Sequence, residues 1–194
     1  MFRGISKVAI LLAALFYLTA CSPKLDWRTV QSPHERYTAL FPGKPDKLDR
    51  RIPYADQELL QVLEAVKIEN DIYSVSTIVL PVNQRASLSQ LLSQLQSNLL
   101  DRAKASGGNV AIDDAFYKTS ERQRLPTKDY FLDLKVNGNT QQLMRVRWIN
   151  RVAPNGDTWI YQVSVLHAGT ATENAKTFLS KEEYENFFTD FSPE

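Results

Sequence analysis

The chain of 194 residues has very few of the side chains that metal and redox chemistry use. It contains one cysteine, Cys21, and two histidines, His34 and His167. A lone cysteine cannot form a disulfide within the chain, so the hydrophobic core alone must stabilise the fold. Zinc sites draw most of their ligands from cysteine and histidine, and this composition argues against one. We therefore expect no metal and no cofactor.

Glycine is also scarce, with seven residues in the whole chain. No glycine-rich loop precedes a predicted helix, and no serine lies in a G-x-S-x-G motif, so these phosphate-binding and acyl-transfer signatures are missing. Asp113 and Asp114 are adjacent, so on a strand they point to opposite faces. The sequence predicts a protein that is not an enzyme, although a site assembled from distant strands remains an alternative.

Neither sign of charge is in excess. The chain has 23 lysines and arginines against 22 aspartates and glutamates, which leaves a net charge of +1. A protein dedicated to nucleic acid normally carries a clear basic excess, because it must neutralise phosphates. We therefore expect no nucleic-acid partner.

An apolar stretch near the amino terminus, residues 8–18, follows the basic residues Arg3 and Lys7. A basic start followed by a short apolar run is typical of an export signal. A helix of this length rises only about 16 Å, far less than the ~30 Å hydrocarbon core of a bilayer. The run therefore argues for export and against a permanent transmembrane span.

This stretch ends in residues 18–21, "LTAC", which resemble the lipobox of bacterial lipoproteins. In that motif an aliphatic residue and two small residues fit the peptidase groove, and only a thiol forms the thioether to diacylglycerol. The resemblance implies that residues 1–20 are a signal peptide and that Cys21 becomes the acylated first residue. Ser22, in place of aspartate, implies sorting to the outer membrane, facing the periplasm. An ordinary signal peptide cut after Ala20 is the alternative.

The acylated cysteine and the tether occupy residues 21–26, and residues 27–194 are expected to form a single α+β domain. Bacterial lipoproteins usually carry three acyl chains, and two or more chains hold a protein stably on a bilayer. The segment from Ser22 to Asp26 reaches at most about 18 Å when fully extended. We therefore expect the domain to lie close to the membrane.

Alternating apolar residues predict the first strands of this domain. Two short strands at residues 27–30 and 36–41 come first, and a hairpin follows. A turn at residues 70–71 would place Ile68 opposite Tyr73 and keep the apolar residues of both arms on one face.

The same hairpin places Glu64 on its apolar face, opposite Thr77. A buried carboxylate needs a partner or a shifted pKa. Glu64 is therefore either the acid of a ligand pocket or a residue near the end of the sheet that reaches water. The second situation is the more common one for glutamate.

Two helices are predicted. The first spans residues 87–106, with Ser87 and Gln90 as a capping-box pair, and Gly107 and Gly108 end it. Its apolar stripe consists of Leu88, Leu91, Leu92, Leu95, Leu99 and Ala103.

The second helix closes the chain. Ser180 and Glu183 form another capping-box pair at its start. Its apolar face consists of Tyr184, Phe187, Phe188 and Phe191.

A meander of strands lies between the two helices. After a less regular strand over residues 110–118, a loop at residues 137–139 places Leu132 opposite Met144. A turn at residues 155–156 then joins the last two strands.

That last turn sets Trp148 opposite Val163, and the alternation of the strand over residues 143–152 then points three arginines outward from the sheet, with a lysine on the same face of the neighbouring strand. Asp133 lies close enough to pair with Arg145. We expect either a solvated face with weak cross-strand salt links or a surface for anionic lipids or an acidic partner. The four basic residues are Lys135, Arg145, Arg147 and Arg151.

The predicted order is strands, a long helix, a meander and a terminal helix, which defines an α+β fold with helices packed on the apolar face of an antiparallel sheet. "YTALFPGKP" at 37–45, "YSVSTIVLP" at 73–81 and "YENFFTDF" at 184–191 resemble uncharacterised bacterial envelope proteins. The resemblance implies a PsbP/Mog1-like fold, shared with the photosystem accessory protein PsbP and the nuclear transport factor Mog1. These motifs are turn and core residues, so they imply a fold and no activity.

The leading functional hypothesis is a non-enzymatic protein-binding or envelope-assembly module, held at the outer membrane by its acyl chains and acting on another envelope protein. The alternative is a tethered carrier of a small apolar ligand held between helix and sheet, with Glu64 and aromatic residues lining the pocket.

Overall fold

The computed structural model describes residues 25–54, 57–136, 139–169 and 171–194, which form an α+β structure of two sheets and three helices. The strands are β1 (Arg28–Ser32), β2 (Tyr37–Phe41), β3 (Asp46–Tyr54), β4 (Gln57–Ile68), β5 (Asp71–Leu80), β6 (Val110–Lys118), β7 (Arg124–Val136), β8 (Asn139–Val152), β9 (Thr158–Ala168) and β10 (Ser192–Pro193). The helices are α1 (Leu88–Ala105), which follows a 3₁₀ turn (Val82–Ser87), α2 (Ala175–Leu179) and α3 (Glu182–Thr189). The predicted α+β class is confirmed. The predicted signal peptide, Cys21 and most of the tether lie outside the described residues.

The larger sheet has seven strands in the order β3-β4-β5-β9-β8-β7-β6, and each neighbouring pair is antiparallel. The smaller sheet has the order β1-β2-β10 and is also antiparallel. Helix α1 packs on one face of the larger sheet, whereas the smaller sheet, α2 and α3 pack on the other. The expectation that the helices share one apolar face is wrong, because both faces are covered.

The main core lies between the two sheets and is rich in aromatic rings, which provide large buried areas and edge-to-face contacts. Tyr37 and Tyr161, from different sheets, meet edge to face with ring centroids 6.1 Å apart. The predicted apolar face of the closing helix is confirmed for Tyr184, Phe187 and Phe188, which are buried in this core. Phe191 is buried there too, but it lies after the helix, which ends at Thr189.

Helix α1 packs through the predicted apolar stripe. Its first half contacts β3, β4, β5 and β9, and its second half contacts β7 and β8. The helix ends at Ala105, and Gly107, with a φ of +73°, turns the chain away from it. The amide of Gly108 donates to the carbonyl of Ala103 at 2.9 Å. A Cβ at position 108 would overlap the carbonyl oxygen of Asp133, so α1 and β7 meet backbone to backbone there.

Neither predicted capping box forms. Ser87 has helical dihedrals (φ −87°, ψ −2°) because the 3₁₀ turn already precedes α1, and its side chain makes no capping bond. Lys181, without a side-chain cap, precedes α3. The cap that does form is Asn174, whose side chain accepts from the amide of Thr177 at 2.9 Å and begins α2, a helix that the sequence did not predict.

The first hairpin has the predicted faces but a register shifted by two residues. Val66 pairs with Tyr73, and Ile68 pairs with Asp71, so the turn is at Glu69 and Asn70. An even shift keeps each side chain on its predicted face. Strand β3 was not predicted, because it is an exposed, charged edge strand without an apolar alternation.

The β7–β8 pair has the predicted partner, since Leu132 lies opposite Met144. Pairing continues to Val136 opposite Asn139, with a register shift after Leu134. The remaining residues of the predicted loop, 137 and 138, lie outside the described residues.

The β8–β9 register differs by one residue from the prediction. The connecting loop has three residues, Pro154 to Gly156, with Gly156 at a φ of +87° and the amide of Ala153 donating to Asp157 at 2.8 Å. A turn residue with positive φ completes a three-residue hairpin loop of this kind. Trp148 consequently lies opposite Gln162, and Arg147 lies opposite Val163.

The chain enters the fold at one end of the larger sheet. The amide of Asp26 donates to the carbonyl of Pro42 at 3.1 Å, and the ring of Trp27 packs 6.1 Å from that of Tyr73. This end also carries the β4–β5 turn, and we call it the tether end. The last strand, β10, pairs with β2 at Tyr37, at the opposite end.

Candidate functional site

The arginines predicted to face outward from β8 are buried. Arg145 is 3% exposed and Arg147 is 2% exposed, on the face covered by α2 and α3. The prediction of a basic surface at these positions is wrong, because the one-residue difference in the β8–β9 register reverses the face of each side chain relative to β9.

Both arginines bind the same carboxylate, Asp129 on β7. Arg145 donates to Oδ2 through Nε at 3.1 Å and Nη2 at 2.5 Å, and Arg147 donates to Oδ1 through Nε at 2.6 Å and to Oδ2 through Nη2 at 2.8 Å. Burial alone raises the pKa of Asp129, but the hydrogen bonds and charges of the two guanidiniums outweigh it and hold that pKa below its ordinary value.

Further hydrogen bonds from the two arginines hold two helices on the sheet, and Nη1 of Arg145 also binds the carboxylate of Glu185 on α3 at 2.7 Å. Nη1 of Arg145 donates to the carbonyl of Leu179, the last residue of α2, at 3.1 Å. Nη1 of Arg147 donates to the carbonyl of Phe188, in the last turn of α3, at 2.9 Å. The last carbonyls of a helix lack partners within the helix and attract positive charge. The three residues Asp129, Arg145 and Arg147, which we call the arginine clamp, therefore have a structural role.

The other members of the predicted stripe do not join the arginine clamp. Lys135 is half-buried, and Arg151 is partly buried with its Nε unpartnered within the described part of the chain. Asp133 does not pair with Arg145 as predicted. Its Oδ1 instead accepts from the amide of Ala175 at 2.7 Å.

Glu64 lies where the two sheets meet and is half-buried. Its carboxylate accepts from the hydroxyl of Tyr37 and lies 2.7 Å from the hydroxyl of Ser32. The Ser32 hydroxyl is also 2.6 Å from Glu35, which binds Lys47 at 2.5 Å. Glu64 thus links β4 to β1 and β2. It faces away from α1, so it does not line a cleft between that helix and the sheet.

Acid should destabilise the protein by protonating two buried carboxylates, Glu35 and Asp129. Burial raises the pKa of Glu35, but hydrogen bonds from Lys47 and Ser32 outweigh it, so this pKa, like that of Asp129, is lower in the folded state. A lowered folded-state pKa contributes stability that is present above the unfolded value, about pH 4, and is lost as the pH falls through the folded value.

As far as these two groups are concerned, we expect the free energy of unfolding to be nearly constant from pH 7 to 5 and to fall progressively below pH 4. Urea unfolding at stepped pH measures this. The Glu35→Gln variant should show a shallower acid limb, and a wild-type curve that is flat down to pH 3 would contradict the assignment.

A cleft of about 360 Å³ lies between α1 and the half of the larger sheet formed by β3, β4 and β5. Its helix side consists of Leu91, Gln94, Leu95 and Asn98. Its sheet side consists of Arg50, Ile52, Pro53, Gln61, Leu63, Ser74, Ser76 and Gln162. We call it the helix–sheet cleft. Its volume is at the small end of the range of ligand sites, about 300–1,000 Å³.

A hydrogen-bonded polar row crosses the floor of this cleft. Nε of Arg50 donates to the amide oxygen of Gln61, whose Nε2 donates to the hydroxyl of Ser76. On the neighbouring strands, Nε1 of Trp148 donates to the amide oxygen of Gln162 at 3.2 Å. Gln61 and Ser76 are 6% and 5% exposed, so these polar groups have fixed positions beside an apolar wall.

The sequence did not indicate this cleft. Ser74, Ser76 and Gln162 interrupt apolar strands in the pattern of solvent-facing positions. That pattern is the same whether a helix or water covers the face, so only the packing of α1 distinguishes the two.

Within the described ranges, no helix combines the length and the apolar composition that crossing a bilayer requires. The same residues hold no group of three or more His, Cys, Asp or Glu side chains placed to share a metal ion.

These features define an α+β protein whose seven-stranded antiparallel sheet is covered on both faces, with a buried arginine clamp on one side and a helix–sheet cleft on the other. No protein-family model matches the chain, and no curated protein matches it either.

Proposed function

We propose that the chain is a non-enzymatic binding or assembly module of the bacterial envelope, anchored by acyl chains on Cys21 to the periplasmic side of the outer membrane. The observation that carries this proposal is the lipobox-like sequence "LTAC" at 18–21, followed after a few residues by Asp26, whose amide is bonded to Pro42. The fold therefore begins almost directly after the proposed anchor.

The short connection supports a fixed orientation. Because Trp27 packs on Tyr73 at the tether end, the ~18 Å reach from Cys21 keeps this end beside the bilayer. The opposite end of the sheet would then point away from the membrane. The two edge strands of the larger sheet, β3 and β6, would face sideways. An envelope protein is the proposed partner, reached across these surfaces.

The buried arginines change how the partner would be recognised. A basic stripe on β8 does not supply an anionic-partner surface, because Arg145 and Arg147 are used inside the arginine clamp. In-cell crosslinking of the acylated full chain, followed by identification of its neighbours, tests the partner directly. Recovery of the protein with lipids alone would count against an assembly role.

The anchor has its own test. The Cys21→Ala variant should lose all incorporation of a labelled fatty acid and should leave the membrane fraction, because no other thiol is present in the chain. Metabolic labelling followed by fractionation measures both effects. Ser22→Asp is the matched control, since it should keep the label and change only the membrane that holds the protein. Continued labelling of Cys21→Ala would refute the proposal.

A second candidate is a tethered carrier of a small ligand, and the helix–sheet cleft specifically favours it. The cleft combines an apolar wall with fixed polar groups, as ligand sites do. Native mass spectrometry of the purified protein separates the two functions. A co-purified small molecule favours the carrier, and its absence favours the assembly module.

We also propose that the domain belongs with the PsbP/Mog1-like folds. The sequence motifs at 37–45, 73–81 and 184–191, together with the order of strands, helix, meander and closing helix, support this assignment. Superposition of an experimental structure on members of that group tests it, and a different strand order in the larger sheet would contradict it.

A further inference from the structure

The helix–sheet cleft has a basic group at its edge that no carboxylate of the described residues neutralises. Arg50 lies on the edge strand β3 and uses Nε to bind Gln61. No carboxylate of the described residues lies within ion-pair distance of its guanidinium, whereas the next residue, Arg51, points to the other face and lies 4.0 Å from Glu58. The Nη donors of Arg50 therefore remain available to an anion.

The wall next to Arg50 is apolar. Ile52 and Leu63 line the sheet side of the cleft, and Leu91 and Leu95 line the helix side. Leu48 lies directly opposite Leu63 in the β3–β4 register and is 59% exposed. An apolar surface thus extends out of the cleft along β3, towards the tether end.

On β4, Gln61 of the polar row lies between Leu63, which lines the cleft, and Leu59, which belongs to the filled core beneath the first half of α1. Gln162 lines the cleft; its amide oxygen accepts from Trp148, and its amide nitrogen has no hydrogen-bond partner among the described residues. Together with Arg50, the floor offers hydrogen-bond donors and a positive charge. An arginine fork matches the geometry of a carboxylate.

We infer that the helix–sheet cleft binds a small single-chain carboxylate amphiphile, with its carboxylate at Arg50 and its apolar chain along Leu63 and Leu95. The volume of about 360 Å³ fits one short chain rather than a lipid with two chains. The site rests on the proposed binding function but not on the anchor. The Cys21→Ala variant distinguishes the two, because it should lose the acyl anchor and still bind the ligand.

The test uses the full-length protein in phosphatidylcholine nanodiscs and a ten-carbon fatty acid that carries a photoreactive diazirine. Crosslinks should concentrate in the peptides that contain residues 48–63 and 91–98, and unlabelled decanoate should compete about tenfold better than decanol because of the charge at Arg50. Labels spread evenly over the surface, or equal competition by the two compounds, would overturn the inference.

Two pairs of variants control for folding. Gln94→Trp fills the cleft from the exposed side of α1 and should reduce labelling about tenfold, whereas Ser93→Trp lies on the opposite side of the helix and should leave it unchanged. Arg50→Ala should reduce labelling about fivefold, and Arg51→Ala should not. Wild-type labelling of Gln94→Trp, or equal effects within either pair, would also overturn the inference.

Discussion

Replacement of Asp129 by asparagine should lower the free energy of unfolding by about 3–5 kcal/mol, because it leaves the buried Arg147 with no carboxylate among the described residues and the buried Arg145 with only the half-exposed Glu185. Asparagine has nearly the same shape but no charge, so the loss reports electrostatics rather than a cavity. The arginine clamp also holds Leu179 and Phe188, so α2 and α3 should loosen first. Chemical unfolding followed by tryptophan fluorescence measures the change, and hydrogen exchange locates it.

Asp114→Asn is the matched control for this experiment. Asp114 lies on the neighbouring strand β6 with its side chain 88% exposed, 3.6 Å from Lys128. A surface pair of this kind contributes about 0–1 kcal/mol. A loss below 1 kcal/mol for Asp129→Asn, or similar losses for both variants, would show that the clamp does not stabilise the fold as described.

Substitution of Gly108 by alanine should destabilise the protein at least as much as Asp129→Asn does. We expect the free energy of unfolding to fall by more than about 3 kcal/mol and the variant not to accumulate in cells at 37 °C. The added Cβ would overlap the carbonyl oxygen of Asp133, and backbone cannot move aside as a flexible side chain can. Inserting an extra methyl group into a well-packed core typically lowers stability by about 1–3 kcal/mol. A clash with backbone atoms should cost more than this, because the backbone has less freedom to move. Thermal unfolding and steady-state abundance measure the effect.

Substitution of the adjacent Gly107 distinguishes the cost of a steric clash from the cost of an unfavourable backbone conformation. Its φ of +73° is unfavourable for alanine, but nothing lies within 4 Å of its added Cβ. Gly107→Ala should therefore cost only about 1–2 kcal/mol, the penalty of the left-handed region. Equal losses at the two positions would contradict the close approach of α1 to β7.

Much of the fold follows from local patterns in the sequence. The stripe of α1, the glycine pair that ends it and the aromatic face of α3 depend on residues close together in the chain, and all three are confirmed. The α+β class follows from their order. The predicted capping boxes at Ser87 and Ser180 do not form. The motif matches at both positions, but its geometry depends on how the preceding residues lead into the helix.

The register between strands depends on long-range packing, and it is the feature that the sequence predicts least well. A loop of three residues in place of two, ending in Gly156, moves Arg145 and Arg147 from the surface to the interior. No local signal marks Asp129 as their partner, because it lies on a different strand. For the same reason the helix–sheet cleft, built from α1 and four strands, follows only from the packed structure.

The pairing of β10 with β2 has a consequence for when the protein folds. Phe191 and Pro193, beside the last residue of the chain, are buried against segments that include Tyr37, near the first. Contacts of such long sequence separation form only when both segments are present, and they slow folding. A fragment that stops before Phe191 would thus lack part of the main core, so the native state is reached only when both distant segments are present.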